Sequence, residues 1–240
     1  MKKLRVILLA GALLIIFAES AWPQFGGRYS QPEYFYKNSF FILLGYSSGP
    51  HFEKFVNWAN EYYYDTINST DSIGDFKGSF DFSAGLRIRF SHHFAGEFDF
   101  LTYTLKTKQA FVGTGQFSDT VVNHNLDLNV AIFSASILVL LDFQNKQPII
   151  PFAGTGISVF PMRLDHSIDY SIRHVQTALA ANFTAGIDIR ISQELSGSIR
   201  GDWTFGTTNM PVSPIYGEPE SFKMDLSTTQ IQAGIMYGFN

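Results

Sequence analysis

The chain has 240 residues, a formal net charge of −4 and no cysteine. The missing thiols exclude a disulfide scaffold or a thiolate metal site, the 45% apolar content excludes a disordered chain, and the acidic balance argues against a general nucleic-acid binder. Charged residues reach only 16%, against about 25% in soluble domains, and aromatic residues equal them at 16%; this is the composition of a protein whose outer surface does not all face water.

The N-terminus reads as an export signal. Met1-Lys2-Lys3-Leu4-Arg5 is basic, Val6 to Ala18 is apolar, and Ala18-Glu19-Ser20 offers the small residues of a cleavage site near Ser20 or Ala21. The apolar run falls short of the roughly 20 residues that a membrane-spanning helix needs. Removing Lys2, Lys3, Arg5 and Glu19 from the 17 basic and 21 acidic residues leaves a net charge of −6. Residues 1–20 are therefore expected to be a signal peptide, 21–37 a periplasmic N-terminal segment and 38–240 a single domain. The longest later apolar run, Val130 to Leu141, is too short to span as a helix.

Eight strands are predicted from alternation of apolar and polar residues. Asn38–Ser47 carries Phe40, Ile42, Leu44 and Tyr46 on one face, with Phe41 and Leu43 on the other. Ser79–Phe90 sets Phe80, Phe82, Leu86, Ile88 and Phe90 against Asp81, Arg87 and Arg89, and Phe94–Thr102 sets Phe98 and Phe100 against Glu97 and Asp99. Val121–Leu141 begins with Asn125, Asp127 and Asn129 against Leu126, Leu128 and Val130, then turns apolar on both faces. Pro148–Phe160 follows. Asn182–Ser192 sets Phe183, Ile187 and Ile189 against Asp188 and Arg190; Leu195–Phe205 sets Ile199 and Trp203 against Arg200 and Asp202; Gln230–Phe239 carries Ile231, Ile235, Tyr237 and Phe239. Each strand is about 9–13 residues or longer, enough for the roughly 9–11 that a tilted strand needs to cross a bilayer.

The connections alternate in length. Ser91–His93, Asp142–Gln147 and the Gln193-Glu194 turn are short, whereas 48–78, 106–119, 161–176 and 207–225 are expected to be long loops. Short turns on one side and long loops on the other describe an outer-membrane barrel. Arginine at the lipid midplane costs about 2–4 kcal/mol, so Arg87 and Arg89 assign the Asp/Arg/Ser faces to the lumen and the Phe/Ile/Leu faces to lipid. The expected lumen charges are Asp81, Arg87, Arg89, Glu97, Asp99, Asp127, Asp188, Arg190, Arg200 and Asp202. Across the Ser91–His93 turn the register places Arg87 opposite Glu97; across the next-to-last hairpin it places Asp188 opposite Ser198 and diagonal to Arg200. The fold expected is thus all-β: an eight-stranded antiparallel up-and-down transmembrane β-barrel with short periplasmic turns and long extracellular loops.

Several of these stretches resemble the OmpA-type outer-membrane β-barrel domain family. Pro151-Phe-Ala-Gly-Thr-Gly-Ile-Ser158 is similar to its Pro-Tyr-x-Gly-x-Gly-x-Gly strand, with Ser158 where the last glycine is common. Ala185–Ser192 and Leu195–Trp203 resemble its penultimate hairpin, and Ile231–Phe239 its C-terminal insertion signal, here followed by Asn240. The resemblance covers residues 38–240. It implies an eight-stranded barrel in the outer membrane of a Gram-negative-type bacterium, contacts with outer-membrane lipid, and recognition of Ile235, Tyr237 and Phe239 by the barrel assembly machinery. It leaves the biological role open.

Residues that carry chemistry are sparse. His92-His93 reads as a solvated turn, and His51, His124, His166 and His174 fall in or beside long loops. Lipid A-modifying barrels use Ser and His near one leaflet; here His166-Ser167 and Ser171 with His174 fall in a loop, and no nucleophile–base–acid set is legible. No phosphate loop, zinc spacing or calcium loop occurs, so no cofactor or metal is expected. Pro50 to Tyr64 has helical spacing, either a cap over the barrel mouth or a helix on the lipid surface, or else a partner-binding helix with Phe52, Phe55, Trp58 and Tyr62 as contacts. The functional expectation is a structural or loop-presenting barrel without an open pore or enzymatic activity, engaging an extracellular or periplasmic protein partner. The alternatives are a small porin-like channel and a soluble lipocalin-like carrier.

Overall fold

A computed structural model describes residues 38–142, 147–168, 170–192, 194–211 and 221–239. The expected signal peptide, the 21–37 segment, Gln193 of the last short turn and Asn240 lie outside the described residues. The wall is a closed antiparallel barrel of eight strands: β1 (Asn38–Ser47), β2 (Ser79–Arg89), β3 (Phe94–Val112), β4 (Val121–Leu140), β5 (Ile149–Ile168), β6 (Tyr170–Arg190), β7 (Leu195–Phe205) and β10 (Thr228–Phe239). Every strand pairs with its neighbour along the chain, and β10 closes on β1 with Asn38 opposite Phe239 and Ser47 opposite Gln230. A helix, α1 (Glu53–Ile67), follows β1, and a two-stranded ribbon, β8 (Thr207–Pro211) with β9 (Ser221–Asp225), stands between β7 and β10.

The wall is uneven in height. Strands β3 to β6 have 19, 20, 20 and 21 residues, whereas β1, β2, β7 and β10 have 10 to 12. At about 3.3 Å per residue and a tilt near 40°, 20 residues rise on the order of 50 Å and 11 residues about 28 Å, against an outward apolar band of about 25 Å. Half of the wall thus projects well beyond the band. This corrects two of the expected long loops. Residues 106–112 and 161–168 continue β3 and β5, 170–176 belong to β6, and only 113–120 join β3 to β4. The reason lies in the sequence: Tyr103, Leu105 and Phe111 alternate with Thr104, Lys106 and Ala110, and Met162 and Leu164 alternate with Arg163 and Asp165. Polar residues there mark one face of a strand and not a loop.

Above the short half of the wall, α1 and the β8–β9 ribbon cover the mouth. The helix has no side-chain N-cap of its own; instead Asp75 accepts the Phe52 N–H at 3.0 and 3.1 Å. Asn68, at φ 58°, ends it in the left-handed conformation that asparagine tolerates. Asn60 brackets the returning chain, donating from Nδ2 to the Ile73 carbonyl at 3.1 Å and accepting the Ile73 N–H at 2.9 Å.

The closing seam needs a glycine. A Cβ on Gly234 of β10 would meet the Ile42 carbonyl oxygen of β1 at 2.0 Å, whereas one on Gly74, in the connection before β2, would meet nothing within 4 Å. The barrel in detergent is expected to migrate differently on a gel before and after boiling. Gly234→Val, which overpacks the seam at a cost of about 1–3 kcal/mol, lowers the temperature at which the unboiled form disappears, and Gly74→Ala leaves it unchanged. Identical migration of boiled and unboiled wild type contradicts a closed barrel.

Candidate functional site: the barrel interior

Parity along each strand decides what the interior contains. Outward positions of the lower wall are apolar and exposed, among them Phe80 at 85%, Leu44 at 64%, Ile137 at 65% and Ile231 at 67%. Inward positions at the same level are charged and buried: Arg87, Glu97, Asp188 and Arg200 are each no more than 3% exposed. A soluble carrier requires the reverse, so that alternative does not fit the faces.

Arg87 stands opposite Glu97 and donates from Nε to its Oε2 at 2.8 Å. Its Nη1 reaches across the lumen to Asp188. Asp188 stands opposite Ser198, which donates to it at 2.8 Å. The expected diagonal contact of Asp188 with Arg200 does not form, because Arg87 already occupies Asp188. Arg200 instead donates to Glu97 at 2.6 Å and Asp99 at 3.3 Å, and lies 3.0 Å from Asp202. Two aromatic rings complete the cage, with the Arg87 guanidinium 4.5 Å from the Phe152 centroid and that of Arg200 5.0 Å from Phe41. Asp81 accepts from Gln232 at 2.6 Å and from Ser47. Next to the short turns, Asp142 binds Arg89 at 3.1 Å and Arg190 at 2.9 Å. A cavity of about 20 Å³ between Arg89, Asp188 and Arg190 has room for a water and little more. Asp142, in the turn after β4, and Gln232, on the inward parity of β10, join this network although sequence reasoning did not single them out.

Asp127 is a correction. It points outward, 3.4 Å from Lys106, while Leu126, Leu128 and Val130 point inward. The inward parity of β4 never changes, but above the apolar band the outside is polar and the inside is not.

That upper interior is an apolar core. Leu101, Leu105, Phe111, Leu126, Leu128, Phe160, Met162 and Leu164 of the tall strands pack against Phe52, Phe55, Val56 and Tyr63 of the helix segment and Phe222 and Met224 of β9. Phe52 and Phe55, expected as partner contacts, are fully buried in it; Trp58 and Tyr62 pack partly buried against its edge. The periodicity found the helix, and the core claims its aromatic face. Within this core His124 and His166 meet, Nε2 to Nε2 at 2.9 Å, edge-on to Phe55. Both histidines lie on strands and not in loops. One imidazole donates and the other accepts, and neither Nδ1 has a partner among the described residues. Burial and the neighbouring imidazole push His124 down to about 3; burial and His174 push His166 down to about 4.

The C-terminal residues Ile235, Tyr237 and Phe239 face outward at the seam, opposite Ile42, Phe40 and Asn38, and the Tyr237 hydroxyl donates to Glu194 at 3.2 Å.

Two outcomes follow from this interior. Glu97→Ala leaves Arg87 and Arg200 short of a partner, and breaking such a buried pair costs about 3–5 kcal/mol; adding Arg87→Met restores only part of the loss, because Arg200 also binds Glu97 and Asp188 loses its contact with Arg87. Equal denaturant midpoints for wild type and Glu97→Ala contradict the network. For the histidines the unfolded value near 6.5 exceeds both folded values, so the unfolded state binds more protons between about pH 6.5 and 3 and stability falls on acidification through that window. Protection of α1 amides against hydrogen exchange, corrected for intrinsic rates, is expected to drop from pH 7 to 4, and to drop less in the His124→Phe, His166→Leu variant.

No family model matches the chain, and no curated protein does. Among solved structures, the outer membrane protein OprG of Pseudomonas aeruginosa aligns with a TM-score of 0.56 at 10% identity, covering 85% of this chain and 97% of that one. Neisserial surface protein A aligns at 0.45 and 11% identity, covering 83% and 97%. The attachment invasion locus protein of Yersinia pestis, Ail, aligns at 0.40 and 10%, covering 83% and 99%. The likeness to OprG is one of fold: this chain has the architecture of an eight-stranded outer-membrane barrel.

Proposed function

We propose that this protein is an outer-membrane barrel that holds a rigid extracellular platform for a protein partner and does not conduct. The observation that carries the reading is the doubly closed interior: a charge network across the lower lumen and a dry core of barrel, helix and ribbon side chains above it. An eight-stranded barrel is only wide enough for side chains to fill, and buried side chains occupy it at both levels. Export through residues 1–20 and placement in the outer membrane of a Gram-negative-type bacterium complete the reading, supported by the exposed apolar band, the buried lumen charges and the OprG-like fold. Kinship with the OmpA-type barrels rests on the Pro151–Ser158 strand and the last hairpin.

The platform consists of the projecting halves of β3 to β6, α1 and the β8–β9 ribbon. Tyr64, on the solvent side of α1, is exposed and replaces the buried Phe52 and Phe55 as a partner contact. No catalytic role is part of this reading: His166, adjacent to Ser167 in the sequence, is engaged with His124 inside the core.

Planar-bilayer recording tests the closed lumen. The intact chain is expected to give no steady conductance, and Glu97→Ala brief openings at most; large stable steps from wild type favour the small-channel alternative. For assembly, Ile235, Tyr237 and Phe239 are proposed as the signal read by the assembly machinery. The Tyr237→Ala, Phe239→Ala variant is expected to accumulate several-fold less folded barrel in the outer membrane, and equal accumulation contradicts that role.

A further inference from the structure

The outward side of the tall wall changes character abruptly. Along β5 it runs Ile149, Pro151, Ala153, Thr155, Ile157, Val159 and Pro161, then Arg163 and Asp165; descending β6 it runs Arg173, then Val175, Thr177 and Leu179. Arg163 and Arg173 are thus the first outward side chains beyond the apolar stretch on neighbouring strands. Asp165 holds both: its Oδ2 accepts from Arg163 Nε at 2.9 Å and its Oδ1 from Arg173 Nε at 3.1 Å. Asn129 supports the same carboxylate from β4 at 3.5 Å, and is itself held by Thr104 of β3 at 2.8 Å. Lys106 and Asp127 pair on the same outer face.

One carboxylate between two guanidiniums leaves a local excess of positive charge. It engages each arginine through Nε, so the terminal Nη nitrogens have no partner among the described residues, and the two side chains are 47% and 65% exposed. Fixed guanidiniums with free Nη donors suit a phosphate, which they bind through paired hydrogen bonds. Next to them Val175, opposite Arg163, and then Leu179 and Ile157 present exposed apolar side chains. A polar anionic head with an apolar chain beneath it matches this succession; a free anion would use only the upper half of it.

We propose that Arg163 and Arg173, clamped by Asp165, form a binding site for the phosphate of an outer-leaflet lipid headgroup, whose acyl chain lies along Val175, Leu179 and Ile157. The site rests on the membrane reading above. Exposed ion pairs contribute little to stability, so its variants fold and the test reads binding alone.

The experiment uses the mature barrel in neutral detergent, with bound lipid counted by native mass spectrometry and heat-shifted migration as the folding control. Short-chain phosphatidic acid is expected to bind wild type at one site, and Arg163→Gln with Arg173→Gln to weaken it about tenfold or more. Arg163→Lys with Arg173→Lys recovers part of the binding, and Lys77→Gln leaves it unchanged. Diacylglycerol, which lacks the phosphate, and inorganic phosphate, which lacks the chain, each bind much more weakly. Unchanged phosphatidic acid binding in the Gln variant overturns the site, as does equal binding of diacylglycerol. Full displacement by millimolar inorganic phosphate overturns the lipid assignment. Vesicle flotation separates the two levels: wild type that fails to float overturns the membrane reading, whereas floating wild type with unaltered binding in the Gln variant overturns the clamp alone.

Discussion

Everything in the lower half of this molecule depends on neutralising guanidinium groups inside a closed wall. Arg87 and Arg200 are fully enclosed, and an enclosed charge without a partner costs several kcal/mol. Four carboxylates, Glu97, Asp99, Asp188 and Asp202, surround the two of them from β3, β6 and β7. The contacts across the lumen form only when the sheet closes, because Arg87 and Asp188 are 101 residues apart and Arg200 and Glu97 are 103 apart. The charges therefore tie strands on opposite sides of the lumen, while the backbone ladder ties only neighbours. A one-residue slip would turn every one of these charges outward, so the network also fixes the register.

The second constraint is that the chemistry of the outer face changes with height while the parity of the strands does not. Strand β4 shows it within one element. Its inward side chains are Leu126, Leu128, Val130 and Ile132, then Ser134 and Ser136; its outward ones are Asp127 and Asn129, then Phe133 and Ile137. Both faces invert at the same level, near residues 131–133. Below it the outer face is apolar and the interior holds the buried charges beside small apolar clusters such as Leu138, Leu140 and Phe152; above it the pattern is that of a water-soluble barrel. The inversion explains why α1 belongs where it is: the inner face of the projecting strands is apolar on the side where the wall is short, and Phe52, Phe55 and Tyr63 cover it.

Much of this was legible in the sequence, and what was not has physical reasons. A three-residue turn fixes its hairpin, so Arg87 opposite Glu97 followed from Ser91–His93 alone. Strand β2 kept one environment throughout, and its faces were assigned correctly from the cost of arginine in lipid. Asp127 was misassigned because a period of two says which residues share a face, never which face is inside, and the rule that served β2 fails once the strand leaves the apolar band. The strand character of 161–168 and 170–176 was hidden by the polar residues of that same outer face. Helical spacing located α1, but the burial of Phe55 depends on Phe222 and His124, residues brought near only by the fold. The His124–His166 contact spans 42 residues and two strands, and no local pattern announces it.

The absence of native cysteine lets the inversion be measured directly. Single cysteines at 137 and 157 on the outer face of the band, at 106 and 127 on the outer face above it, and at 126 on the inner face above it are spin-labelled in vesicles and probed with oxygen and with a water-soluble nickel chelate. Oxygen access without nickel access is expected at 137 and 157, nickel access at 106 and 127, and neither at 126. Nickel access at 137 or oxygen-only access at 127 would contradict it.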